Sequence, residues 1–218
     1  TPQKTLPAAK FPKEEFDTVV IETTRGMTER SLEKSRDREE QRLIRQIERV
    51  LSKGGSCLIP VFAFGRMQEI LTLIYEARNK GTLSKIPIYC SGLGMELANT
   101  FDEISRNSGL IKFRRKILKD LMVKPLPTSL VPGKSPEKPS LFIVSSGMLV
   151  GNTPSYLVAS SLLGSPKNSI YFVGYCDPDT PGGKLLATPT GNNFLFEKLD
   201  FLCPVNAQIE KFDLSSHA

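Results

Sequence analysis

The sequence predicts an α/β fold, a mainly parallel sheet with helices on both faces, and three observations lead there. Short β-branched or apolar runs alternate with amphipathic stretches of about ten residues or more. Glycine or proline stands at the joints between them. No internal repeat interrupts the alternation.

Taken in order, residues 1–15 are rich in Pro and Lys and read as a surface arm. FDTVVIE (16–22) reads as a buried strand ending on Glu22. From Ser31 to Ser52 the chain is highly charged, with Leu43, Ile44, Ile47, Val50 and Leu51 on one stripe. That spacing predicts an amphipathic helix, stopped by Gly54–Gly55. SCLIPVF (56–62) is the next strand. GRMQEILTLIYEARNKG then forms a helix with Met67, Ile70, Leu71 and Ile74 facing the core and Gly81 past its end.

IPIYC (86–90) is a strand and MELANTFDEI (95–104) a helix. The rhythm breaks over 112–140, where a basic helix or turn leads into an exposed excursion containing Pro125, Pro127, Pro132, Pro136 and Pro139. LFIVSS (141–146) resumes as a strand. Thr153–Pro154 opens a helix through Leu163, with Gly164 beyond it. SIYFVGY (169–175) is a strand and GKLLAT (183–188) a short helix. Two strand-like runs, near 199–203 and 205–212, are antiparallel in character and suit a second layer.

Composition narrows the class. The 218 residues, 39% of them hydrophobic, can bury one sizeable core. No apolar run approaches the ~20 residues that span a bilayer, and the start TPQKTLPAAK lacks a signal peptide's apolar stretch. A non-membrane, intracellular protein is expected, cytoplasmic or, in a eukaryote, nuclear. Cys57, Cys90, Cys176 and Cys203 are widely spaced with no CxxC, the pattern of reduced cysteines, though disulfides stay open. The net charge of +6 suits a polyanionic partner or a merely solvated basic surface.

In an open parallel sheet, ligands bind beyond the carboxyl ends of the strands. Four loops should emerge there: FAFGR (62–66), CSGLGM (90–95), SSGMLVGNT (145–153) and GYCDPDTPGGK (174–184). Each carries glycine and opens a helix N-terminus, whose free N–H groups favour anions. Ser91, Ser145, Ser146 and Thr153 add hydroxyls, and Arg66 and Lys184 add positive charge. One such loop is ordinary turn chemistry; four of them with Arg66 read as a phosphate-binding rim. GxxxxGK[ST] is absent and CSGLGM lacks a third glycine, so nucleotide-cofactor binding is weakly supported.

Glu22, ending a buried strand, needs a partner such as Arg25 or a functional role. Glu69 reads as part of a solvated helix face. The basic stretch Lys112, Arg114, Arg115, Lys116, Lys119 and Lys124 either tracks a phosphate backbone or is a solvated surface.

Five segments in order resemble the motifs of the β-CASP nucleases of the metallo-β-lactamase superfamily. VVIETTRG resembles their ESTYG, IPVFAFGRMQEIL their IPxFAxGRxQE, and VSSGMLVGNTPSYL their SSGML loop. FVGYCDPDTPGGKLL is similar to GYQxxGTxGxxL, and FDLSSHA to FSAHAD. The match is to the RNA-processing branch, which includes the cleavage-and-polyadenylation endonuclease; ribonuclease J is more distant. Three departures stand out: Arg25 replaces the usual Tyr, SSHA replaces SAHA, and the GYCDPDTPGG loop is richer in Pro and acid.

The resemblance implies roles residue by residue. Glu22 matches the motif A acid beside the zinc pair, and it hydrogen-bonds the motif B histidine. His217, the chain's single histidine, matches that histidine, which contacts the scissile phosphate and helps protonate the leaving group. Such a pair is chemically coherent, since a carboxylate orients an imidazole and raises its pKa. Arg66, Ser145, Ser146 and Gly147 match positions lining the cleft where the RNA strand enters, and with Ser91 and Lys184 of the rim they are the expected substrate-binding residues. The family's zinc ligands come from HxHxDH and further His and Asp, which one histidine cannot supply. Two zinc ions are therefore expected in a longer parent and none on this chain.

Residues 1–24 would then end the first metallo-β-lactamase half, 25–211 form the β-CASP domain, and 212–218 begin the return. The partners implied are single-stranded RNA and the missing metallo-β-lactamase domain, with homodimerisation of the parent an option. The expected function is the substrate clamp of a zinc-dependent ribonuclease that hydrolyses phosphodiester bonds. The alternatives are a catalytically silent RNA-binding scaffold and a generic nucleotide-binding α/β domain.

Overall fold

The computed structural model describes residues 4–7, 12–23, 26–27 and 35–214. Its first half runs α1 (Arg36–Ser52), β1 (Cys57–Pro60), α2 (Arg66–Asn79), β2 (Ile88–Cys90), α3 (Gly92–Ser108), α4 (Ile117–Asp120) and β3 (Lys124–Pro125). Its second half runs β4 (Leu141–Val144), α5 (Pro154–Leu162), β5 (Ser169–Phe172), α6 (Pro181–Ala187), β6 (Asn193–Phe196), β7 (Phe201–Pro204) and β8 (Gln208–Lys211).

Strands β1, β4 and β5 are buried at every position, as strands covered on both faces must be. Side chains alternate across the pleat. Cys57, Ile59, Leu141, Ile143 and Tyr171 join one core with α1 to α4; Leu58, Phe142, Val144, Ile170 and Phe172 join a second with α5 and the β6–β7 hairpin. The sheet order is β3-β2-β4-β1-β5-β8, every adjacent pair parallel, and β6 pairs with β7 in a separate antiparallel ribbon. This is the expected parallel α/β sheet with helices on both faces.

The helix boundaries follow local chemistry. All five stripe residues of α1 are buried. The helix stops where Gly54, at φ +78°, donates its N–H to Leu51 and Gly55 donates to Val50. Pro154 and Pro181 stand at the starts of α5 and α6. Asn168, 3% exposed, joins the layers: its Oδ1 accepts from Ser56 N at 2.9 Å and its Nδ2 donates to Leu162 O at 3.0 Å.

Several expectations are corrected. FDTVVIE forms no strand and is exposed, Val20 at 92%. Its apolar alternation marks a segment suited to burial, but strand structure needs a hydrogen-bonding neighbour, and no described strand pairs with it. The supposed arm is anchored at residues 4–6: Thr5 is fully buried, its carbonyl accepts from Lys112 N, and Leu6 packs on the first core. The basic helix shrinks to α4, followed by the unforeseen edge strand β3, while all six basic residues from Lys112 to Lys124 are exposed. Of the two tail runs, β7 is antiparallel as expected, pairing with the unforeseen β6, whereas β8 joins the main sheet in parallel beside β5. The helix residues expected at 31–34 lie outside the described residues.

Burial makes one pH effect predictable. Desolvation pushes the Cys57 and Cys90 thiols up to about 12, whereas exposed thiols ionise near 9.0. The folded chain therefore holds protons that the unfolded chain releases, so this stability is present below about pH 9 and lost on rising through about pH 12. Urea titrations at successive pH values should show the unfolding midpoint falling from pH 9 upward. In native protein at pH 8, a thiol reagent should leave Cys57 and Cys90 unlabelled until the chain is denatured.

Candidate functional site

Because every main-sheet pair is parallel, the loops after β1, β2, β4, β5 and β8 leave at one edge. Helix α2, following β1, packs into the first core, whereas α5 and α6, following the neighbours β4 and β5, pack into the second. Crossovers that part to opposite faces open a crevice at the end of β1. The candidate site is built around that crevice.

The loop Val61–Gly65 turns on Gly65, at φ +78°. Phe62 lies between two neighbouring loops: a Cβ added at Gly147 would stand 3.1 Å from its ring, and one at Gly174 would stand 3.7 Å away. Glycine at 147 thus suits the close approach of the β1 and β4 loops. Phe62, Phe64 and Tyr175 leave 40%, 68% and 62% of their surfaces exposed, giving the edge aromatic faces.

The β4 loop is held by hydroxyls. Ser91, after β2, is buried; its Oγ lies 3.1 Å from Ser145 Oγ and accepts from Ser145 N at 3.3 Å. Ser146 Oγ accepts from Val150 N at 2.9 Å, and the Ser146 carbonyl accepts from Ser155 Oγ at 2.7 Å. The β5 loop is tied on by Gly182, whose N–H donates to Met148 O at 2.9 Å. Thr180 caps α6, its Oγ1 accepting from Gly183 N at 3.2 Å and donating to Asp177 O at 2.6 Å. Lys184 is exposed on that helix.

Arg66 faces a different setting. Its Nη1 donates to Glu69 Oε2 and to the Leu214 carbonyl, both at 2.6 Å. The other Glu69 oxygen pairs with Arg36 of α1, and Arg36 also donates to Leu214 O at 3.2 Å and to Glu40 at 3.1 Å. Lys4 extends the chain of charges, meeting Glu40 at 3.2 Å and Glu76 at 3.0 Å. Burial first, and then the Arg36 charge, hold the Arg66 guanidinium down at about 10, with Asp213 opposing; it remains a cation at neutral pH. Glu69 is 2% exposed, which corrects its reading as a solvated helix residue.

Next to this network, α1 binds the exit of β8. Glu39 accepts from Asp213 N at 2.8 Å, and Arg42 donates to Lys211 O at 2.9 Å. Arg42 also pairs with Glu39 and Glu210 at 2.8 and 2.7 Å and lies 3.9 Å over the Phe212 ring. The Arg42 hydrogen bond, against some desolvation, holds the Glu39 carboxyl below its usual range.

The predicted site residues therefore divide. Ser91, Ser145, Ser146 and Gly147 come together at the rim, and Lys184 stands on the helix tied to it. Arg66 lies inward, in the ion-pair network. Glu22 is exposed in the non-strand segment, and His217 and Arg25 lie outside the described residues. Arg36, Glu39 and Arg42 were missed, because the contacts they make to β8 and its exit lie 168–178 residues away along the chain. The Arg66–Glu69 pair had a signal, since a spacing of three on a helix lets side chains meet. Among the described residues, no group of three His, Cys, Asp or Glu is placed to hold a metal. No described helix is long and apolar enough to cross a membrane.

Residues 67–185, more than half of the chain, match the family model of the Beta-Casp domain. The chain belongs to the Beta-Casp family. Among curated relatives, this Beta-Casp chain is 34% identical over 178 residues to transcription termination factor FttA of Methanothermobacter thermautotrophicus, covering 77% of itself and 27% of that protein. It is 33% identical over 193 residues to the Integrator complex subunit 11 homolog of Dictyostelium discoideum, covering 86% of itself and 25% of that protein. An RNase J-like protein of Methanocaldococcus jannaschii is 29% identical over 221 residues, 98% of the chain and 49% of that protein. The chain thus spans about a quarter to a half of the length of these relatives.

The rim depends on close loop contacts that can be tested directly. A Cβ at Gly182 would lie 2.7 Å from Cys176 Sγ and 2.8 Å from Met148 O. Gly182→Ala should therefore push the β4 and β5 loops apart and cost about 1–3 kcal/mol. A lower thermal unfolding temperature for that variant is the expected result.

Proposed function

We propose that this Beta-Casp domain clamps the substrate of a ribonuclease that hydrolyses phosphodiester bonds in single-stranded RNA. The observation that carries this reading is the convergence at one sheet edge. The serine and glycine loops, the exposed aromatics and the exit of β8 all lie at it. The names of the relatives, a transcription termination factor, an Integrator subunit homolog and an RNase J-like protein, support RNA as the substrate class. The net charge of +6 suits a polyanion.

In this proposal residues 1–24 and 212–218 belong to a metallo-β-lactamase domain, and 25–211 form the clamp. Ser145, Ser146 and Gly147 meet backbone phosphates, Ser91 supports Ser145 from behind, and Lys184 supplies charge. Glu22 orients His217, whose imidazolium protonates the departing oxygen. The described residues do not provide a donor set for a zinc pair. Its ligands belong to sequence outside this chain, in the full-length protein.

In the full-length protein, His217→Ala should lower kcat on single-stranded RNA about 100-fold or more with KM little changed, as loss of a general acid does. Retention of full activity would sink the assignment, as would zinc-dependent cleavage by these 218 residues alone. For the clamp, Lys184→Ala should weaken RNA binding and reduce the slope of log affinity against log salt by about 0.7, one single-strand phosphate contact. An unchanged slope removes Lys184 from the RNA path.

A further inference from the structure

We propose that Glu69 is a positioning residue: gripped by Arg36 and Arg66, it fixes the backbone at Leu214 and so sets where His217 meets the substrate. The proposal rests on the general-acid reading of His217 and adds to it the part of the fold that holds the histidine in place.

The geometry is unusual for the exit of an edge strand. Four consecutive residues are tied by polar contacts to neighbouring elements. Arg42 takes the Lys211 carbonyl, the Phe172 carbonyl takes Phe212 N at 2.8 Å, Glu39 takes Asp213 N, and Arg36 and Arg66 share the Leu214 carbonyl. Phe212 and Leu214 are each 1% exposed, so side chains anchor the same stretch from the other side. A loop needing only to leave the sheet would not require a carbonyl shared by two guanidiniums.

Glu69 is the residue on which this arrangement turns. Two half-buried guanidiniums side by side repel, and each is costly to desolvate. The carboxylate, one oxygen on each, offsets that repulsion and aims both forks at a single carbonyl. Without it, Arg36 is drawn toward Glu40 and away from Arg66, the shared grip on Leu214 is lost, and the histidine is no longer held in place. In the reaction, the oxygen of water bonds to phosphorus and gives up a proton to solvent, while the P–O bond to the leaving nucleotide breaks. The electron pair stays on the departing oxygen, which takes its proton from His217. An oxygen of low acidity needs that proton, and a misplaced histidine fails to deliver it.

The test compares two substrates in the full-length protein: single-stranded RNA, and a p-nitrophenyl nucleoside phosphodiester, whose nitrophenolate leaves without protonation. Glu69→Gln should lower kcat on RNA by about 10- to 100-fold while the nitrophenyl ester loses under about threefold. His217→Ala should show the same selectivity. Arg36→Lys keeps the charge beside Glu69 but gives up the fork, and should show the selective loss even if Glu69→Gln folds poorly. Equal losses on both substrates would mean a general structural role and overturn the proposal, as would unchanged RNA cleavage. If His217→Ala itself spares RNA or harms both substrates alike, the general-acid reading fails instead.

Discussion

The parallel pairing of β1 with β4 on one side and β5 on the other is the constraint on which the rest of the structure depends. A strand held this way is covered on both faces, so its side chains must be apolar in both directions, and they are. Parallel neighbours also require long crossovers, and here the crossovers bring helices to opposite faces. The same geometry sends every following loop to one edge. The crevice, the glycine contacts around Phe62 and the serine rim are consequences of that pairing.

The second organising feature is electrostatic. A buried carboxylate between two arginines contributes little net stability, because desolvating three charges offsets most of their attraction. Well-packed apolar residues could fill the space at least as favourably. What such residues could not do is direct two donors at one carbonyl. The network lies where α1, the start of α2 and the exit of β8 meet. Positive charge that reads from sequence as phosphate-binding is thus partly internal: Arg66 is turned toward Glu69 and Leu214, while Lys184 remains outside.

Much of the fold was legible. The stripe Leu43–Leu51, the helix opened by Gly65, and the runs at 57–60, 141–144 and 169–172 follow from period and punctuation. What misled the reading had one cause: apolar pattern reports the wish for burial, not the partner. FDTVVIE and QIEK show it from opposite sides. The first is β-branched yet exposed and joined to no described strand, and the second is half-buried yet completes the main sheet through its register with β5. The site was legible to the extent that its residues sit next to strand ends. Ser91 and Ser145 lie 54 positions apart, but each directly follows a strand, so topology alone brings them together.

By itself, then, the sequence determined the strand–helix alternation, the glycine-bearing loops and the family motifs, because these depend on local backbone preference and on residue types at fixed spacing. Only the tertiary structure decided which strand lies beside which, that Glu69 is buried, and that Arg36 and Arg66 meet on the Leu214 carbonyl. Those contacts join residues up to 178 positions apart. Their existence depends on how the sheet is ordered and how α1 lies across it, and no local pattern of residues carries that information.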